Sequence, residues 1–138
     1  MSKIIDIFTN PYLQVGLLAW FIAQLIKVLT VLVKYKKFDF RRFVGAGGMP
    51  SSHSALVTSI ATTVGEIEGY DTLFFAFSVV MALIVMYDAS GVRRAAGRQA
   101  RILNKIIESE GKNINVQEKL IELLGHTPFE VYVGAVVG

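Results

Sequence analysis

No cysteine occurs anywhere in this sequence, which removes disulfides, thiolate nucleophiles and cysteine–zinc centres together. Histidine is almost as scarce: His53 and His126 are the only two. With Glu130 as the single nearby acid, they fall short of a protein-built metal site, so neither metal nor cofactor is expected. Internal repeats and low-complexity tracts are missing, and charged residues make up only 18% of the chain. What fills the space is apolar. Hydrophobic residues are 53% of 138, above the roughly 45–50% of an ordinary soluble domain, and the mean hydropathy is +0.51. The length suits one domain, 1–138.

Residues 12–33 are apolar apart from Gln14, Gln24, Lys27 and Thr30, and about 20 such residues cross a bilayer. The stretch is longer than a secretory signal core and lacks a small-residue cleavage site, so it reads as a retained span. Lys27 is expected to snorkel its stem toward the end marked by Lys34. Residues 51–65 are softer, rich in Ser, Thr, Ala and Val, a composition that favours close helix contact inside a bundle. Residues 72–87 are strongly apolar, and the acidic link Glu66–Asp71 joins these two stretches as an antiparallel pair. Residues 128–138 supply about half a span.

The small net charge of +3 matters through its placement. Lys34, Lys36, Lys37, Arg41 and Arg42 follow the first span, and Arg93, Arg94, Arg98 and Arg101 follow the third. The positive-inside rule puts both clusters in the cytoplasm and the acidic link outside. Residues 93–124 read as an amphipathic insertion. Ile102, Leu103, Ile106 and Ile107 mark one face, Val116, Leu120, Leu123 and Leu124 another, and Glu110–Asn113 divides them. The expected fold is all-α: a polytopic transmembrane helical bundle with a cytoplasmic amphipathic helical insertion.

The chemistry gathers at one face of that bundle. Gly45-Ala46-Gly47-Gly48-Met49 leads into Pro50-Ser51-Ser52-His53-Ser54. Backbone N–H groups at a helix start, with serine hydroxyls beside them, bind anions. A helix cap at Ser51 or Ser52 explains the same residues without any ligand. Asp88 ends the third stretch, with Arg93 and Arg94 just beyond; there it either supports the site or merely pairs with an arginine. His126 is expected to open the last helix with Glu130 one turn on, placed to hold its imidazole. Two histidines, arginines and a Gly/Ser pocket suit phosphoryl transfer, which needs mostly positioning and charge neutralisation.

Three ordered motifs carry a family resemblance. Pro50-Ser51-Ser52-His53 resembles the central motif of the type 2 phosphatidic acid phosphatase and vanadium haloperoxidase superfamily, and residues 124–131 resemble its third. The pattern is closer to the divergent branch found in bacteria and plants. That branch has Gly-Gly-Met-Pro-Ser-Ser-His-Ser, Tyr-Asp-Ala-x-Gly-Val-Arg-Arg and Gly-His-Thr-Pro-x-Glu-Val, present here at 47–54, 87–94 and 125–131. The resemblance implies that His126 attacks phosphorus and forms a phosphohistidine, Glu130 orients its ring, and His53 protonates the leaving oxygen. Ser51, Ser52 and the backbone at Gly48 would hold phosphate oxygens. Lys34 and Arg41 reproduce the seven-residue spacing of the superfamily's first motif, and Arg93 or Arg94 would supply the charge of the third-motif arginine, whose place is taken by Leu120. The chain departs from the parent pattern at Ser52, where glycine is usual, at Leu120, where the third motif has arginine, at Glu130, where classical members have aspartate, and after Arg41, where no proline follows.

The expected function is hydrolysis of a lipid phosphate or diphosphate, metal-independent, in a bacterial cell membrane with the site facing the cytoplasm. The alternative is a catalytically inactive membrane protein that binds anionic headgroups or a protein partner through the same pocket. A small transporter rests only on the polar second stretch. Expected partners are the bilayer and a phosphorylated lipid, with a homo-oligomer compatible with both and nucleic acid excluded.

Overall fold

The computed structural model describes residues 2–35, 48–109, 120 and 124–138, and these are helical with no strand among them. Among the described residues six helices follow in order: α1 (Ser2–Phe8), α2 (Pro11–Tyr35), α3 (Ser52–Glu68), α4 (Leu73–Ser90), α5 (Val92–Ser109) and α6 (Pro128–Val137). The short α1 has no counterpart in the sequence reading. Residues 36–47, with Arg41 and Arg42, and Val116 and Leu123 of the second amphipathic face lie outside the described residues, as does the side chain of Lys34.

Local chemistry sets the helix starts. Asn10 Oδ1 accepts from the N–H groups of Tyr12 and Leu13 at 3.0 and 3.2 Å, with Pro11 as the first helical residue. Thr72 caps α4 by accepting from Phe75 N–H at 3.2 Å. Thr127 and Glu130 form a reciprocal capping box at the head of α6. At the turn between α3 and α4, Gly69 has φ +103°, a conformation that favours glycine.

Helix α3 is the central element, packed against α2, α4 and α6. Its buried residues are Ser52, Ser54, Ala55, Ser59, Ala61 and Gly65. Small side chains let neighbouring backbones come close, and dispersion between well-fitted helices replaces the hydrophobic drive that lipid removes. Thr58, Ser59 and Thr63 return their hydroxyls to carbonyls of their own helix at 2.7–2.8 Å, so the polar groups are satisfied. Gly16 of α2 meets Ile60, while Ala19, Ala23 and Ala55 form a buried cluster with Val137 beside it. The tightest approach is α6 on α3: a Cβ on Gly134 would lie 2.3 Å from the Ser51 carbonyl oxygen. Gly134→Ala is therefore expected to destabilise the fold by about 1–3 kcal/mol, seen as a lower melting temperature in detergent, because the obstacle is backbone.

The large apolar residues point the other way. Leu17, Leu18, Phe21, Leu25 and Leu29 of α2 are exposed, as are Phe74, Phe77, Val80, Leu83 and Ile84 of α4. Two helical stretches, Pro11–Val33 and Leu73–Ser109, are long and apolar enough to cross a membrane, and only 28% and 11% of their apolar windows are buried inside the protein. A core helix of a soluble protein would be mostly buried; this inside-out arrangement suits lipid.

Lys27 is a correction to the sequence reading. Its side chain is 1% exposed, held inside the protein rather than reaching the headgroups. The reason is register: it follows Gly16, Ala19 and Ala23 on the interior face of α2. A side chain on Gly48 would come within 3.5 Å of its stem.

Candidate functional site

Three chain segments far apart in sequence meet at one end of α3: its own start, the junction of α4 and α5, and the residues leading into α6. The Ser51 N–H donates to the Glu130 carbonyl at 3.0 Å, and the His126 N–H donates to the Ala89 carbonyl at 2.8 Å. These two bonds tie the start of α6 to the start of α3 and the end of α4. Gly125, at φ +81°, lies so close to α5 that a Cβ there would be 2.3 Å from the Arg94 backbone nitrogen. The junction is fixed by backbone, so side-chain positions follow from it.

Two imidazoles face each other there, with ring centroids 6.2 Å apart and planes at 62°. His126 is 1% exposed. Both of its ring nitrogens, and Nδ1 of His53, are buried without a hydrogen-bond partner among the described residues. An unmet buried polar atom costs about 1–3 kcal/mol, so such a group calls for an explanation. The ring of His126 reaches Glu130, Nδ1 to Oε2, at 3.5 Å, an ion-pair distance rather than a formed hydrogen bond.

The route to that contact differs from the expected one. His126 does not open the last helix; it precedes the N-cap Thr127, and the helix begins at Pro128. The one-turn rule for helical neighbours does not apply. The cap brings the pair together instead: Glu130 Oε2 accepts from Thr127 N–H at 2.8 Å, which folds the carboxylate back toward His126. The Thr127-x-x-Glu130 spacing was a readable capping-box signal.

At the start of α3 both readings of the serines meet. Ser51 is the N-cap: its Oγ accepts from Ser54 N–H at 3.3 Å and from the Ser54 hydroxyl at 3.0 Å. The Ala55 N–H takes the Ser51 carbonyl at 3.1 Å. That leaves the N–H groups of Ser52 and His53 without an intrahelical acceptor, as any helix start does. Ser51 and Ser52 are both buried. The peptide before Pro50 is cis, and Gly48 has φ +91°.

Charged side chains act on both histidines. Arg93 Nε donates to Asp88 Oδ2 at 2.6 Å. The positive charges of Arg93 and Lys27 and the negative charge of Asp88 all act on His53. Burial pushes the His126 imidazole below the usual histidine range, and the Lys27 and His53 charges push it further, while Glu130 pulls the other way. His126 is thus held neutral. Among the expected residues, Ser51, Ser52, His53, Asp88, Arg93, His126 and Glu130 gather here. Arg94 contributes its backbone to the junction and leaves its side chain exposed. Lys27 was missed as a site residue. Its signal was a lysine on the small-residue face of a membrane helix, where ionisable groups usually mark function.

Residues 8–138 match the Divergent PAP2 family, and the chain belongs to it. It is 41% identical over 145 residues to the uncharacterized membrane protein YuiD of Bacillus subtilis (strain 168), across 96% of this chain and 92% of that one. No solved structure matches it.

Proposed function

We propose that this member of the Divergent PAP2 family hydrolyses a lipid phosphate or diphosphate in the membrane through a phosphohistidine. The observation that carries the reading is the pair of neighbouring imidazoles with buried nitrogens that no group among the described residues satisfies by a hydrogen bond. A phosphate between them would meet those nitrogens.

In this mechanism Glu130 faces Nδ1 of His126 and leaves Nε2 to attack phosphorus. The N–P bond forms as the bond from phosphorus to the lipid oxygen breaks, and His53 gives its proton to that oxygen. Water then attacks the phosphohistidine with His53 as base, releasing phosphate and restoring His126. Lys27, Arg93, the Ser52 and His53 N–H groups and the Ser51 and Ser52 hydroxyls neutralise the phosphoryl oxygens. Gly48 keeps the approach free of a side chain. Bound phosphate also brings the negative charge that holds His53 protonated. Lys34, Arg41 and Arg94 add positive charge that draws the headgroup in. No step draws on a metal or cofactor.

The test is phosphate release by purified protein from a panel of lipid phosphates and diphosphates. His53→Ala is expected to slow alkyl phosphates by about 100-fold or more, yet slow an aryl phosphate of good leaving ability much less. Equal loss on both would remove His53 from the acid role.

One observation favours the non-catalytic alternative: the capping box already gives Glu130 a structural task. Binding of phosphatidic acid with no turnover on the whole panel would select that reading.

The basic residues around the site support a cytoplasmic orientation. Single cysteines at Arg98 and Asp71, both exposed, are expected to react with an impermeant thiol reagent from opposite sides of intact cells, Asp71→Cys from outside. Labelling of both from one side would defeat this orientation.

A further inference from the structure

We propose that α5 is an interfacial helix whose outer apolar face rests in the headgroup layer of an anionic membrane. The proposal does not depend on catalysis. At about 100° per residue, Val92–Ser109 divides into three sectors rather than two. Gly97, Ala100 and Asn104 fall on one side and are buried against the protein. Arg94, Arg98, Arg101 and Lys105 form a second sector, all exposed. Val92, Ile102, Leu103 and Ile106 form the third and are also exposed, by 48–61%. Gln99 is the polar exception in that sector.

The apolar sector cannot turn inward, because the inner one is pinned. The Asn104 amide donates to the Leu120 carbonyl at 2.9 Å and its oxygen accepts the Leu120 N–H at 3.1 Å. Both bonds would be lost on rotation. Nor does α5 begin in open water. Gly91 joins it directly to α4, whose apolar residues open Leu73–Ser109, one of the two stretches long and apolar enough to cross a membrane, and Gly91 N–H donates to the Tyr87 carbonyl at 2.8 Å. The helix therefore starts where the bilayer ends. An apolar strip flanked by cations at that depth fits the boundary between acyl chains and anionic headgroups. A protein partner would need no row of four cations beside the strip.

Because the chain has no cysteine, single nitroxide labels can be placed in the full-length protein. The labels are Ile102→Cys, Ile106→Cys and Arg101→Cys, in nanodiscs of phosphatidylcholine with or without phosphatidylglycerol. The expected result is that the two isoleucine sites contact dissolved oxygen and are shielded from an aqueous nickel chelate, more so with phosphatidylglycerol, while Arg101→Cys reports water. Adding Arg98→Gln and Lys105→Gln is expected to lower the lipid-dependent gain by about 25-fold at low salt, each charge near an anionic surface being worth about fivefold. Isoleucine sites open to the chelate in both lipids would overturn the proposal. So would sites shielded from oxygen and chelate alike, which would mean that protein, from this chain or a second copy, covers the face.

Discussion

Alanine in place of His126 is expected to abolish phosphate release from every lipid phosphate the protein turns over, by at least about a thousandfold in kcat. The size follows from the role. Removing a nucleophile takes away the covalent route rather than one contact among several, and no cysteine exists to replace it. The buried position raises the concern that the variant misfolds, since His126 is 1% exposed and its backbone ties α6 to α4. That tie runs through the main chain, however, and alanine keeps it. Thermal unfolding and binding of phosphatidic acid should stay near wild type while turnover disappears. Rapid acid-free quenching of the wild type with labelled substrate should trap label that is stable to alkali and lost in acid, the behaviour of a phosphoramidate. Wild-type turnover by purified His126→Ala would remove this mechanism.

Composition and hydropathy sufficed to place the long helices, because lipid imposes one simple demand: long apolar segments with internal hydrogen bonds. The softness of α3 was equally legible, since Ser, Ala and Gly on a membrane helix mark the side where backbones touch. The site's parts were visible as motifs. Their arrangement was not, because it depends on contacts between distant segments, such as Ser51 to Glu130 and His126 to Ala89. Reading His126 as helical gave the right neighbour for the wrong reason; the capping box is what turns Glu130 back. Lys27 was misread because stem length was weighed without helix register. Three small residues on its face, Gly16, Ala19 and Ala23, already said inward.

Lys27→Met is expected to lower kcat/KM by about 100- to 1000-fold, the usual cost of removing a preorganised charge from a developing oxyanion. Methionine keeps most of the buried stem volume under Gly48, so packing changes little. The pH dependence separates this role from a structural one. The Lys27 charge helps hold His126 below the usual histidine range, second only to burial. A nucleophile must be neutral, so the acid limb of kcat/KM against pH marks the protonation of His126 in the free protein. In the wild type that limb should fall below about 6.5, the ordinary histidine value. Without the Lys27 charge the imidazolium is penalised less, its pKa rises, and the limb moves toward higher pH. Lys27→Arg retains the charge and should leave the limb near its wild-type position, even where the larger head reduces the rate. A limb that stays in place in Lys27→Met, with the rate intact, would show that Lys27 touches neither the phosphate nor the nucleophile. A lower rate with an unmoved limb would confine it to holding phosphate.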